Sequence, residues 1–284
     1  MFSREFYNLF MLSDLVVSSQ LYDLEYMGKT LVNSRYVYLQ HGIQLNDMSD
    51  WVISKLFDLF VVTGEPEKQY MQKLAPRETL NSGIPRLQTL QRSNGEGSGD
   101  LLFMPTWRFG LHTVDESTFL KSSYFRAIDS VLTDRQLLEY LSKSGRRLQV
   151  KLHPNLKKRL KCFSFSEHVI HSDSSYRDAI SHSAFAFTDY SSVLADAAFI
   201  DVPVAYYQWD AETFFRDQPY ENRLDYVAEG MGPVFHEHES LITYITSERF
   251  LADDAMYAAR REWFFEGIER ESICERIVER MLAL

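Results

Sequence analysis

Short apolar runs alternate with amphipathic stretches along this chain. Eight runs of four to six residues read as strands: Leu15–Ser18, Tyr36–Gln40, Leu59–Thr63, Leu101–Pro105, Leu148–Leu152, His168–His171, Ala184–Thr188 and Val202–Tyr207. Most are rich in β-branched or aromatic residues. Between them, Gln20–Leu31, Glu65–Leu74, Thr133–Ser144, Ser174–Ser181, Ser191–Ile200 and Ser240–Ile245 carry helical patterns. The strand runs are nearly continuous in apolar character, as in strands buried on both faces. The expected fold class is therefore α/β, with parallel sheets covered by helices.

One polar stretch, Gln91-Arg-Ser-Asn-Gly-Glu-Gly-Ser-Gly-Asp100, interrupts the pattern with the composition of a flexible linker. It sets the expected organisation: a first domain over 1–90, a linker over 91–99, a second domain over 100–252, and a helical segment over 253–284. In that last segment Ile273, Ile277 and Met281 share one helical face, whereas Trp263, Phe264 and Ile268 fall on another. Gly267 is the expected break between them. No repeat of solenoid period is present.

Composition narrows the classes. With 284 residues, 45% hydrophobic and 14% aromatic, the chain can bury a sizeable core and is not globally disordered. A net charge of −10 argues against a broad basic surface gripping nucleic acid. It leaves room for a phosphorylated small substrate, which a few fixed cations or dipoles hold. Cys162 and Cys274 lie far apart, with no metal-type cluster, and suggest a reducing compartment. No run approaches the roughly 18 apolar residues of a membrane span. The N-terminal apolar patch carries Glu5 and Asp14 and lacks the order of a signal peptide. The expected location is cytoplasmic, compatible with contact at the inner face of the membrane.

Four polar clusters follow directly on predicted strands, where open parallel sheets bind ligands. Gln40-His41-Gly42 places an imidazole for proton transfer beside a glycine that lets the chain turn. A structural histidine next to a turn is an equal reading of this cluster alone. Met104-Pro-Thr-Trp-Arg108 offers Thr106 and Arg108 to phosphate oxygens, although in isolation a capping Thr and a surface Arg explain it better. Lys151-Leu-His153-Pro154 aims His153 from a strand tip, held extended by the proline. A turn histidine is the simpler reading of that dipeptide. The basic run after it, through Lys161, is most simply solvated, with an anionic lipid or polymer contact as the lesser alternative. Thr188-Asp189-Tyr190-Ser191-Ser192 leads into an apolar helix, where Ser191 or Ser192 can cap and the free N–H groups favour phosphate.

The remaining histidines (His112, His168, His171, His182, His236 and His238) lack metal-ligand spacing and read as structural or surface residues. Neither GxxxxGK[ST], GxSxG nor GxGxxG occurs.

In this order the four clusters resemble the CDP-glycerol glycerophosphotransferases, the teichoic-acid and capsule polymerases and primases. The matching stretches are Tyr38-Leu-Gln-His-Gly42, Pro105-Thr-Trp-Arg108, Lys151-Leu-His-Pro154 and Thr188-Asp-Tyr-Ser-Ser192. Ser82-Gly-Ile-Pro-Arg86, Asp201-Val-Pro-Val-Ala-Tyr-Tyr and Met231-Gly-Pro-Val-Phe235 also match. The resemblance implies a GT-B-type architecture of two Rossmann-like domains facing across a cleft, with an N-terminal domain that looks truncated, since only 40 residues precede His41. It implies transfer of an alditol phosphate from CDP-glycerol or a related CDP-alditol to a polymer or lipid-linked acceptor, with release of CMP. His41 and His153 are the implied catalytic residues, His41 as general base. Arg108, Thr188, Ser191 and Ser192, with Thr106 and Asp189 in the same loops, form the implied donor-binding set. Gly42 lies on the acceptor side, where Asp47 matches an acidic position loosely. The run Ile43-Gln-Leu-Asn-Asp-Met departs from the family, which often has a basic residue there. No cofactor is required by the sequence, a divalent ion is left open, and oligomeric state is unread. The alternatives are a GT-B glycosyltransferase or epimerase acting on a UDP- or CMP-sugar, and a non-catalytic truncated remnant.

Overall fold

Apolar continuity decides the strands, as the sequence predicts. The computed structural model describes residues 3–19, 34–55, 57–74, 78–93, 99–111, 113–217, 221–252 and 254–284. Among the described residues the strands, in chain order, are β1 Leu15–Ser18, β2 Arg35–Tyr38, β3 Asn46–Asp47, β4 Leu59–Val62, β5 Thr79–Asn81, β6 Asp100–Phe103, β7 Leu148–Val150, β8 Val169–His171, β9 Ser183–Thr188, β10 Val204–Tyr207, β11 Glu221–Asn222 and β12 Val234–Phe235. The α-helices are α1 Arg4–Leu12, α2 Ser49–Ile53, α3 Glu65–Lys73, α4 Glu116–Lys121, α5 Ser123–Thr133, α6 Arg135–Ser144, α7 Tyr176–Ser181, α8 Val193–Phe199, α9 His238–Thr246, α10 Ala255–Phe264 and α11 Ile273–Leu282. The chain forms two compact units, one of residues 1–44, 48–89 and 262–284, the other of 45–47 and 90–261.

The first unit is built on a parallel sheet of order β1-β2-β4-β5. All four residues of β4 are buried, and a cluster of Tyr36, Tyr38, Phe57, Phe60, Trp51 and Met71 covers one face. Tyr38 stacks on Phe57 and meets Phe60 edge-on, each at 5.1 Å between ring centroids. These geometries add to the burial of the rings. The C-terminal helix belongs to this unit instead of forming a segment apart: Ile273 and Ile277 of α11 are buried, and Arg280 pairs with Glu78. Gly267, at φ 80°, breaks the chain between α10 and α11 as expected. Gly64 has to be glycine, since a Cβ there would lie 1.7 Å from the Phe264 carbonyl oxygen.

The second unit carries a parallel sheet of order β12-β10-β9-β6-β7-β8. Counted within the unit, this is the doubly wound order 3-2-1-4-5-6 read backwards. The direction of winding reverses between β6 and β9, and ligands bind outside the carboxyl ends of the strands at such a reversal. Both strands are buried throughout, and Phe103 stacks on Phe187 at 4.4 Å. Helix α6 starts at Asp134, whose carboxylate accepts the Leu137 N–H at 2.8 Å, and ends at Gly145 in the left-handed conformation. A two-residue antiparallel ladder joins β3 to β11 within the same unit.

Several elements differ from expectation. The strand predicted through Gln40 stops at Tyr38, because Gln40 turns to a φ of 61°. The N-terminal apolar patch is helix α1, capped by the Ser3 hydroxyl. Strand β5 and helices α4 and α5 were not predicted. The helix expected at Gln20–Leu31 and residues 94–98 of the linker lie outside the described residues. Among the described residues no helix is long and apolar enough to cross a membrane.

Candidate active site

In the first unit the chain leaves β2 through Gln40, whose left-handed φ of 61° is a strained position for a residue with a side chain. Its buried amide Nε2 donates to the Val61 carbonyl at 2.7 Å and ties the turn to β4. His41 comes next. Its own carbonyl accepts a bond from the Arg86 guanidinium. Desolvation by the surrounding chain, then the Arg86 charge, lowers the His41 pKa below the usual imidazole value. The ring is thus neutral at neutral pH and able to accept a proton. Farther along the turn, the Gln44 N–H is bound at 2.6 Å by the carboxylate of buried Glu67, which also accepts the Thr63 N–H at 2.6 Å.

In the second unit His153 stands at the carboxyl end of β7. Its Nδ1 accepts the Asn155 N–H at 3.2 Å, which puts the ring proton on Nε2 in the neutral form. Burial lowers its pKa, so that neutral form prevails at neutral pH. The Trp107 ring stacks on the imidazole at 5.5 Å and fixes its plane. Ser191 and Ser192 are half-buried at the start of α8. The Ser191 Oγ accepts the Val193 N–H at 3.4 Å, whereas the Ser192 side chain makes no cap. Lys151 instead turns aside to the carbonyls of Ser172 and Ser174.

Three of the expected donor contacts are buried and bonded within the protein. Thr188 and Asp189 are wholly buried. The Thr188 hydroxyl donates to the Met104 carbonyl, and Asp189 Oδ1 accepts the N–H groups of Thr106 and Tyr190, both at 2.8 Å. Arg108, 7% exposed, has all three guanidinium nitrogens engaged. Its Nε and Nη2 bind the Asp210 carboxylate at 2.9 and 3.1 Å. Its Nη1 donates to the Thr106 carbonyl at 2.7 Å and lies 2.8 Å from Asp189 Oδ2. These groups brace the loops on one another. Thr106 is half-buried between them. Asp47, expected beside His41 on the acceptor side, belongs to the second unit and pairs in register with Glu221.

The sequence reading overlooked Glu67 and Asp210, and gave Trp107 and Arg86 only as parts of matching stretches. Asp210 was findable, since it follows the strand ending at Tyr207. Of the other histidines, His236 and His238 bond to the Gln208 carbonyl and to Asp134, and His171 pairs with Asp173. His112 lies outside the described residues. Among the described residues no group of His, Cys, Asp and Glu is arranged to hold a metal ion.

A doubly wound sheet with polar loops at its winding reversal, together with a second parallel unit, defines a GT-B-type fold. The model of the CDP-glycerol:poly(glycerophosphate) glycerophosphotransferase family matches residues 1–282, and the chain belongs to that family. The minor teichoic acid biosynthesis protein GgaB of Bacillus subtilis (strain 168) is 30% identical over 247 residues, a match covering 81% of this chain and 27% of GgaB. The chain thus spans about a quarter of that relative's length. The wall teichoic acid polymerase TagF shares the fold, with a TM-score of 0.76 and 16% identity over 99% of this chain and 75% of TagF. A UDP-GlcNAc 2-epimerase of Methanocaldococcus jannaschii, in complex with UDP-GlcNAc and UDP, follows at a TM-score of 0.59 and 16% identity, covering 99% of this chain and 79% of the epimerase.

Proposed function

We propose that this chain transfers glycerol phosphate, or another alditol phosphate, from a CDP-activated donor to a hydroxyl of a teichoic-acid-type polymer or lipid-linked acceptor. The acceptor oxygen attacks the phosphorus that carries the alditol. The bond from that phosphorus to the CMP oxygen breaks, and its electron pair leaves with CMP. His41 takes the hydroxyl proton. His153 donates from Nε2 to an oxygen of the diphosphate, and the Ser191–Ser192 turn offers further donors. CMP is a good leaving group, so positioning and charge stabilisation carry most of the catalysis.

The observation that carries this reading is the state of His153: neutral, its Nδ1 occupied, its Nε2–H free for an anionic oxygen at the carboxyl edge of the doubly wound sheet. Family membership over residues 1–282 supports the donor class, as does a TagF structure soaked with CDPG. Contact with an anionic membrane surface belongs to the same reading, supported by the exposed Lys157 and Lys158 after His153. Anionic vesicles should therefore sediment the protein at low salt.

The test is CMP release from CDP-glycerol. His41→Ala and His153→Ala should each lower turnover on the order of 100-fold or more while the fold survives. Unchanged turnover in both variants overturns the assignment. Thermal stabilisation by UDP-sugars and not by CDP-glycerol or CDP-ribitol would instead favour a GT-B glycosyltransferase or epimerase.

A further inference from the structure

Three loops at the carboxyl end of the second sheet meet around one buried cation. Residues 104–108 follow β6, residues 189–192 follow β9, and residues 208–210 follow β10. β6 and β10 flank β9 on either side, so the sheet order itself brings these loops together. Arg108 enters from the first loop and meets Asp189 of the second and Asp210 of the third. The Tyr190 hydroxyl donates to Asp210 at 3.3 Å, and the Gln208 amide donates to the Asp189 carbonyl at 3.1 Å. Four rings close over the guanidinium: Phe214 at 4.4 Å, Trp209 at 5.0 Å, Tyr124 at 5.2 Å and Tyr190 at 5.6 Å from Cζ.

We propose that Arg108 and Asp210 form a buried clamp that fixes the geometry of these loops, and that both are positioning residues for the donor rather than contacts to it. Charge arithmetic favours this over a phosphate-binding arginine. One guanidinium faces two carboxylates, so the cluster holds no surplus positive charge to attract a diphosphate. A phosphate oxygen reaching Arg108 would have to displace a carboxylate inside a ring of aromatic side chains. Removing Arg108 leaves two buried carboxylates uncompensated, and removing the Asp210 charge weakens the bonds that hold Nε and Nη2 of Arg108. The loop that then loosens is the one bearing Ser191 and Ser192. Cation–π contact with the four rings disfavours any route of the guanidinium out of the cage.

The kinetic arm of the test rests on the proposed transfer reaction; the exchange arm does not. Asp210→Asn, Arg108→Lys and the double variant are compared by KM and kcat for CDP-glycerol and by amide hydrogen exchange. Each single variant should raise KM about tenfold or more, as displaced positioning groups do. The double variant should be no worse than the worse single one, because the pair acts as a unit. Exchange should accelerate in residues 104–108 and 188–192 and stay unchanged in α5 and α6. Tyr190→Phe, which removes only the hydroxyl bond to Asp210, should shift both readouts in the same direction by less. It keeps the test open where a charge variant fails to fold. An unchanged KM in Asp210→Asn beside a raised KM in Arg108→Lys would make Arg108 a direct donor contact and overturn the clamp. Exchange rising uniformly through the second unit would overturn it too, leaving only a general stabilising role. If the wild-type protein releases no CMP, the reaction assignment fails, and the exchange pattern still decides the clamp.

Discussion

Glu67 offers the sharpest test of how the first unit is held. It sits in the first turn of α3, wholly buried, and each carboxylate oxygen accepts a backbone N–H at 2.6 Å, one from Gln44 and one from Thr63. A carboxylate in the first turn of a helix is favoured by the helix dipole and by the free N–H groups near it. Glu67→Ala leaves one buried and one half-buried donor without these acceptors, at about 1–3 kcal/mol each. Relief of the buried carboxylate's own desolvation offsets part of this, so a net loss of about 3 kcal/mol is expected. At about 4 °C per kcal/mol for a domain near 100 residues, the first unit should melt roughly 12 °C lower. Glu67→Gln keeps one acceptor and turns an amide N–H toward the other donor, so it should lose about half as much. Amide hydrogen exchange in β4 and α3 against temperature reports this unit and CMP release reports the reaction. Because Gln44 lies three residues after His41, turnover should fall at temperatures where Glu67→Ala is still folded. A melting temperature within about 1 °C of wild type would refute the reasoning, since two such acceptors are not lost at so small a cost.

Two further outcomes follow from the same turn and the sheet behind it. Arg86→Met removes the cation that helps hold the His41 pKa down, so that pKa rises. The neutral base then exists over a narrower range, and the acid limb of kcat/KM should move to higher pH, with no such change above pH 8; a limb that stays put or moves the other way would sink the general-base role. Gly64→Ala puts a side chain at φ 87° and ψ 164° and a Cβ 1.7 Å from a backbone oxygen. The backbone conformation alone costs about 1–3 kcal/mol, and the clash adds to it. Denaturant midpoints should fall and proteolysis within 262–284 should quicken; an unchanged midpoint would contradict the packing.

Much of the fold was legible because burial on both faces writes itself as unbroken apolar runs. Strand β4 reads Leu-Phe-Val-Val and β9 reads Ser-Ala-Phe-Ala-Phe-Thr, and both fall where expected. Helix α6 announces itself by Asp134 at one end and Gly145 at the other. The short strands β3, β5, β11 and β12, of two or three residues, carry no periodicity and exist through their partners. Helix α5 did carry a signal, since Tyr124, Ile128, Val131 and Leu132 follow a 3.6 period and are buried, so its omission was a missed pattern. The strand-end rule placed His41, His153 and both loops of the reversal beyond the carboxyl ends of their strands. It does not say which residues of a loop turn inward. Asp210 stands 102 positions from Arg108, and only the sheet order brings them together.

Both units fasten strand-end loops with buried charged side chains, and the sign of each charge follows from what has to be fastened. In the first unit the loose groups are backbone N–H donors, those of Gln44 and Thr63, and a carboxylate serves. In the second, Asp189 likewise accepts the N–H groups of Thr106 and Tyr190, and the remaining acceptors, the Thr106 carbonyl and two carboxylates, are met by a guanidinium, which has donors in enough directions. In both cases the charge is spent within the protein. Lys151 is likewise engaged, with the carbonyls of Ser172 and Ser174, and both histidines are held toward neutrality. The polar groups nearest these strand ends are therefore aimed hydrogen-bond donors and acceptors more than free cations. An acidic chain fits phosphoryl chemistry on those terms, because geometry set by buried charges takes over the work that a cluster of exposed arginines would otherwise do.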